Sequence, residues 1–200
     1  GTAGTLSDAR VLGFTVSGAS LFVGQGGVLT NNRTVAEPGD GAVGFSATGA
    51  TFSLASVTAS DGTTSFTGAQ VSLANAALVG VDAVDLQLSG SFKLNSTSVV
   101  GGGRIDWATA SNATNDPEGL IPDLQISAAQ QLSASGSASL DIADGAVVAV
   151  VGSLTLDIAT TDVVTGNASL GTAGTLSDAR VLGFSVSGAS LFVGQGGVLT

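Results

Sequence analysis

An all-β fold of long, amphipathic, mainly antiparallel strands, packed as a sandwich or flattened roll and repeated in tandem, is predicted by three features of the sequence. Apolar and polar residues alternate at period two over long stretches, and turn residues separate those stretches at hairpin spacing. Residues 171–200 repeat residues 1–30 with one change, Thr15 becoming Ser185. Period-two alternation gives a strand two different faces, whereas a helix would scatter the same residues around its circumference. An offset of 170 residues with a single methyl group lost marks a tandem array. Residues 1–170 therefore read as one full period and 171–200 as the start of the next, near-identical one. A β-solenoid is the alternative architecture.

Strands are expected over residues 10–23, 43–57, 65–81, 84–94, 104–109, 124–142 and 153–159. In the stretch 84–94, Val84, Leu86, Leu88, Phe92 and Leu94 share one face and Asp85, Gln87, Ser89, Ser91 and Lys93 the other. From 124 to 142 the apolar residues again hold the even positions, and Val148, Val150, Leu154, Leu156 and Ile158 continue that face. Asp61-Gly62 suits a two-residue hairpin loop pairing Val57 with Phe66 and Phe52 with Val71. At Ala143-Asp144-Gly145 a three-residue loop with Gly145 left-handed pairs Leu140 with Val148, Ala134 with Leu154 and Leu132 with Leu156. A two-residue loop there would set apolar against polar side chains. Pro38, Pro117 and Pro122 fall outside the expected strands and mark loops, and no amphipathic helix with credible caps is present. Phrases of glycine and small residues (VSGASLFV, ATGATFSL, LSGSFKL, SGSASLDI, VGSLTLDI) recur at uneven spacing, which favours antiparallel hairpins over the regular coils of a solenoid.

Composition narrows the chemistry. With no Cys, His, Met or Tyr, the sequence lacks a cysteine nucleophile, an imidazole base, zinc sites of Cys or His, and disulfides. Fifteen acidic residues against five basic ones give a net charge of −10, which argues against nucleic acid and is compatible with divalent cations. Only 10% of residues are charged and the mean hydropathy is positive, so the composition is not that of a disordered chain. The longest apolar run, residues 146–151, is far too short for a transmembrane helix. No basic, hydrophobic leader stands at Gly1. Heavy use of Ser, Thr and Gly without Cys leans towards a bacterial surface protein.

Asp116, Glu118 and Asp123, with Asn112 and Asn115, sit on a Pro-containing loop and are the candidate Ca²⁺ ligands, although their spacing fits no EF-hand. No other cofactor is expected. Asp82 and Asp85 point to opposite faces, and Asp141, Asp144 and Asp157 read as edge and turn residues that discourage aggregation. Trp107, the only tryptophan, reads as a core anchor rather than a sugar platform. GQGG at 24–27 and GGG at 101–103 lack the Lys and Ser/Thr of a phosphate loop and read as tight turns. Lys93 reads as an exposed lysine, and Asn32, Asn95, Asn112 and Asn167 head Asn-X-Ser/Thr sequons. No nucleophile, base and oxyanion donors can be named together, so the expectation is a protein that is not an enzyme.

The stretches SLANAALVGVDAVDLQLSG, GRIDWATA and SASGSASLDIADGAVVAVVGSLTLDI, with the long repeat, resemble repeat units of giant tandem-repeat bacterial extracellular proteins, adhesin-like or fibre-forming. The resemblance implies a structural role at the cell surface or outside the cell, as spacer, fibre, coat or adhesive display. Partners would be neighbouring repeats or like subunits, and cell-surface or matrix polysaccharide. It carries over no functional residue. A Ca²⁺-stiffened adhesin extender is the main alternative, and a polysaccharide-active β-protein a further one. Residues 180–193 are expected to repeat the conformation of 10–23, with Phe14 and Phe184 in equivalent environments, and each copy is expected to be a joint between units.

Overall fold

Among the described residues, seven strands follow one another across a single antiparallel sheet in chain order, each hydrogen-bonded to its sequence neighbours. A computed structural model describes residues 4–33 and 35–199. The strands are β1 (Arg10–Thr30), β2 (Val35–Thr58), β3 (Ser65–Val79), β4 (Val84–Thr97), β5 (Gln130–Ile142), β6 (Val147–Val164) and β7 (Thr175–Val193), with one short helix, α1 (Trp107–Ala110), between β4 and β5. The chain is thus all-β with long amphipathic strands. The sheet stays open, consistent with a flattened roll, and its antiparallel meander is not a solenoid coil.

One face of this sheet is apolar from edge to edge. Phe14, Leu54, Ala69, Leu94, Leu132, Ile158 and Leu182 stand in register across the seven strands. A second such row runs Leu21, Ala47, Ala76, Leu88, Ala138, Val151 and Ala189. Between the rows the apolar residues change parity in the sequence: even in β1 up to Val16, odd from Leu21; even in β6 from Leu154, odd up to Val151. An unbroken strand would have turned half of them to the other face. Extra residues correct this. β1 and β2 each carry one near Gly18 and Gly49, β3 carries one between Leu73 and Ala76, and β6 carries one at Gly152. Gly18, Gly49 and the equivalent Gly188 of β7 adopt positive φ of 65°, 66° and 61°, a conformation glycine takes without strain. β4 and β5 keep one parity throughout and pair without a shift. The glycine phrases, unevenly spaced in sequence, therefore line up as one band across the sheet, irregular in its outer strands and regular in β4 and β5, where Gly90 pairs with Gly136.

The long β4–β5 connection covers the opposite face at one end. Trp107, Leu124 and Ile126 are buried there against Ala55 and Val57, with Phe66, Ile105 and Ile121 packed around them. Gly68 is required beneath: a Cβ at that position would lie 2.6 Å from the Trp107 indole. Further along, the Leu120 carbonyl and Pro122 occupy the space a side chain at Gly13 would need. Gly13→Ala is therefore expected to cost about 1–3 kcal/mol. Gly183, its copy in β7, has nothing within 4 Å of a built Cβ, so Gly183→Ala should change stability by less than about 0.5 kcal/mol. Urea unfolding of the two variants measures the contrast.

Several expectations are corrected. Residues 104–109 form no strand: the Asp106 carboxylate accepts from Thr109 N at 2.9 Å and caps a one-turn helix, while Trp107 N donates to Ile126 O at 2.9 Å. A helix thus exists where none was expected. Residues 124–129 leave the sheet to cover Trp107, so β5 starts only at Gln130. The β5–β6 turn holds four residues, 143–146, with Gly145 left-handed as expected and Ala143 and Asp144 also at positive φ. Its register pairs Leu140 with Ala149, Ala134 with Leu156 and Leu132 with Ile158. Val148 stands opposite Asp141, off the apolar face, because the bulge at Gly152 inverts the parity of everything before it. Pro38 lies within β2 opposite Gly27. It is tolerated because the β2–β3 ladder stops at Gly44, so a residue without an N–H has no second neighbour to fail there.

The Asp61 hairpin has the predicted register, Val57 with Phe66 and Phe52 with Val71. The Asp61 carboxylate accepts from the N–H groups of Thr63 and Thr64, each at 2.8 Å, and from the Thr64 hydroxyl at 2.7 Å. The bonds to Thr64, then that to the Thr63 backbone, lower its pKa from 3.8 to about 2. A carboxyl with a depressed folded pKa adds stability above its unfolded value and loses it as pH falls through the folded one. Asp61→Asn should therefore flatten the loss of stability between pH 3.8 and about 2, read from melting temperature against pH.

Candidate assembly surfaces

The acidic loop spends its polar groups on itself. Both carboxylate oxygens of Asp116 accept backbone N–H groups, from Leu120 at 3.1 Å and Ile121 at 2.6 Å. The Asn112 side chain accepts from Thr114 and Asn115 N, and Asn115 Nδ2 donates to Thr109 O. Asp123 accepts from the Gln125 amide, and Glu118 is exposed. Among the described residues no three acidic side chains gather as a metal site. Since Asp116 already has its partners, the melting temperature is expected to be the same in chelator and in millimolar calcium. A calcium-dependent rise would instead support Asp116, Glu118 and Asp123 as ligands.

Trp107 is fully buried and presents no ring face to a sugar. Its Nε1–H donates to Asn95 Oδ1 at 2.9 Å, and Asn95 Nδ2 donates to the carbonyls of Ile105 and Ser127. Asn95, read in the sequence only as a sequon, is thus the buried polar hub that ties the connection to β4. Its signal was a lone Asn inside a strand, a position that disfavours Asn unless its side chain is used. Burial removes this sequon from any surface role, whereas Asn32, Asn112 and Asn167 are exposed. Lys93, expected to be free and exposed, is half-buried and donates to Gln125 O at 2.7 Å, a second tie for the connection.

Two surfaces remain that can meet another molecule. The first is the apolar face. The strands pack mainly against their ladder neighbours, so no second sheet covers it among the described residues. Phe14, Leu21 and Phe184 are 50%, 52% and 65% exposed. Single exposed apolar residues are ordinary, but a contiguous face seven strands wide marks an interaction surface. The second is the pair of sheet edges. β1 and β7 form the two edges, and they are the two copies of the duplicated sequence. Their backbones agree: Gly4, Asp8, Gly18 and Gly26 have φ of 82°, 54°, 65° and 81°, and Gly174, Asp178, Gly188 and Gly196 have 83°, 52°, 61° and 79°. Residues 10–23 and 180–193 are strand throughout, as the duplication predicts. Phe14 and Phe184 share the apolar face but meet different neighbours, Leu54 and Leu156. The ring of Phe14 also lies 6.1 Å from that of Phe52.

No protein-family model, curated relative or solved structure matches the chain. Among the described residues no helix is long and apolar enough to cross a membrane.

Proposed function

We propose that the chain is a structural module that builds an extended β-sheet assembly, a coat or fibre, at the cell surface or outside the cell, with neighbouring repeats or like subunits as its partners. The observation that carries this reading is the same strand sequence at both edges of one open sheet. Unpaired sheet edges invite another chain, and natural proteins blunt them when association is unwanted. Here the edges are long. Leu12 of β1 and Leu182 and Leu191 of β7 are more than half exposed, and no proline interrupts either strand. The apolar face adds a lateral surface for like subunits, and the net charge of −10 keeps single units apart until specific pairing occurs.

Sedimentation and electron microscopy of the purified chain across a concentration series test the proposal. Concentration-dependent ribbons or sheets are expected, and they should form equally in chelator. A monodisperse monomer at every concentration, binding no apolar dye, would overturn it.

A further inference from the structure

We propose that the second copy, from Thr175 onwards, is a shared strand: its free edge takes β2 of a following unit in the register that β2 adopts on β1, so that successive units form one unbroken sheet. This rests on the structural-module reading above and names its joint. The occupant is a second copy of this chain's own strand.

Five observations carry it. The copies have complementary neighbours, since β1 is paired only with β2 and β7 only with β6. Overlaid on one another, they become one strand with a partner on each side. The faces also agree. Ser53 leads in register through Gln70, Lys93, Ser133 and Asp157 to Gly183, and Gly13, the copy of Gly183, pairs with Ala55. Ala55 is two residues from Ser53 and on the same face, so the sheet continues with its apolar side unbroken. A slip of one residue in either ladder would have inverted it.

Each copy, moreover, is strand only where its own partner lies beside it. Residues 24–29 are strand against β2, while the identical 194–199 are not. Residues 175–179 are strand, with Leu176 and Thr175 paired to β6, while the identical 5–9 are not. Identical sequence with opposite outcomes means that the neighbours, not propensity, decide: residues 194–197 lie instead against the β5–β6 turn, with Gly194 N donating to Ala146 O at 2.9 Å and Gly197 N to Gly145 O at 3.1 Å. Finally, Gly183 is open where Gly13 receives the Leu120 carbonyl, leaving room for the connection of the next unit. The hydroxyl pairs agree as well: Thr155 meets Ser185 at 2.8 Å and Thr15 meets Ser53 at 3.2 Å, so one Ser or Thr at this position serves both neighbours.

The test uses a chain carrying residues 1–200 followed by a second copy of 31–200. The protein has no cysteine, so Ser185→Cys in the first unit with Ser53→Cys in the second reports only the proposed joint. Thr15→Cys with Ser53→Cys in the 200-residue chain calibrates oxidation in the same register. Comparable intrachain disulfide yield is expected, with amide exchange among residues 195, 196 and 198 slowed at least about tenfold once the second unit is present. Gly183→Ala, silent in the shorter chain, should lower the melting temperature of the longer one. If both units fold but the disulfide fails, exchange at 195, 196 and 198 stays fast and Gly183→Ala stays silent, the shared strand is wrong and the structural-module reading survives. If the second unit does not fold behind the first, both fall.

Discussion

Trp107→Ala should lower stability by about 3–5 kcal/mol, the range for deleting a large buried aromatic. The indole is fully buried among Ala55, Val57, Leu124 and Ile126, with Phe66, Ile105 and Ile121 around them, and its removal leaves a space that these neighbours fill only in part. Gly68 cannot fill the rest: it lacks a side chain because the indole needs its place. The loss should also be local in its consequences. Without the anchor, the connection over residues 98–129 is held mainly by the hydrogen bonds of Asn95, Lys93 and Gln125, so limited proteolysis should cut there first. Urea unfolding followed by circular dichroism gives the magnitude. A change below about 1 kcal/mol would mean that the sheet draws little of its stability from this cap.

Asn95→Leu is expected to rank next, at about 3 kcal/mol, although the new side chain is similar in size and more hydrophobic. Leucine leaves the Trp107 N–H and the carbonyls of Ile105 and Ser127 without their partner in a buried site. Each stranded group costs about 1–3 kcal/mol, softened where water can reach a carbonyl. The double variant with Trp107→Phe separates the effects. Removing the indole N–H together with its acceptor should cost less than the sum of the two single changes, and strict additivity would show that the pair is not coupled.

Strand identity was legible where a single parity runs through an element. β4 alternates without interruption and lies where its pattern placed it, and Asp61-Gly62 set the β2–β3 register correctly. The β5–β6 register was misread because Gly152 looks like one more small residue. Only the observed ladder shows that it inserts a position and turns Val148 and Val150 to the other face. Residues 124–126 alternate like a strand, yet their apolar side chains are consumed by covering Trp107, a long-range demand that local pattern does not contain. The assembly surfaces divide similarly. The duplication was plain in the sequence, but that its copies would form opposite edges of one sheet depends on the meander between them. Asn95 was legible only as a sequon, because its three hydrogen-bond partners come from residues that no periodicity places beside it.

Strands laid side by side, rather than end to end, fix how such a protein would respond to load. With units joined as proposed, six ladder spacings per period would give an advance of about 29 Å, while the longest strand, 24 residues, would make the ribbon about 80 Å wide. The same 170 residues pulled out straight would reach nearly twenty times as far, so an array joined in this way would spend length on breadth and make a poor tether. Tension along the direction of growth would act parallel to the antiparallel hydrogen bonds and open them one ladder at a time, as a zipper opens, instead of shearing many together. Breadth with low tensile strength suits a surface that must be covered more than a gap that must be bridged, which favours the coat over the spacer.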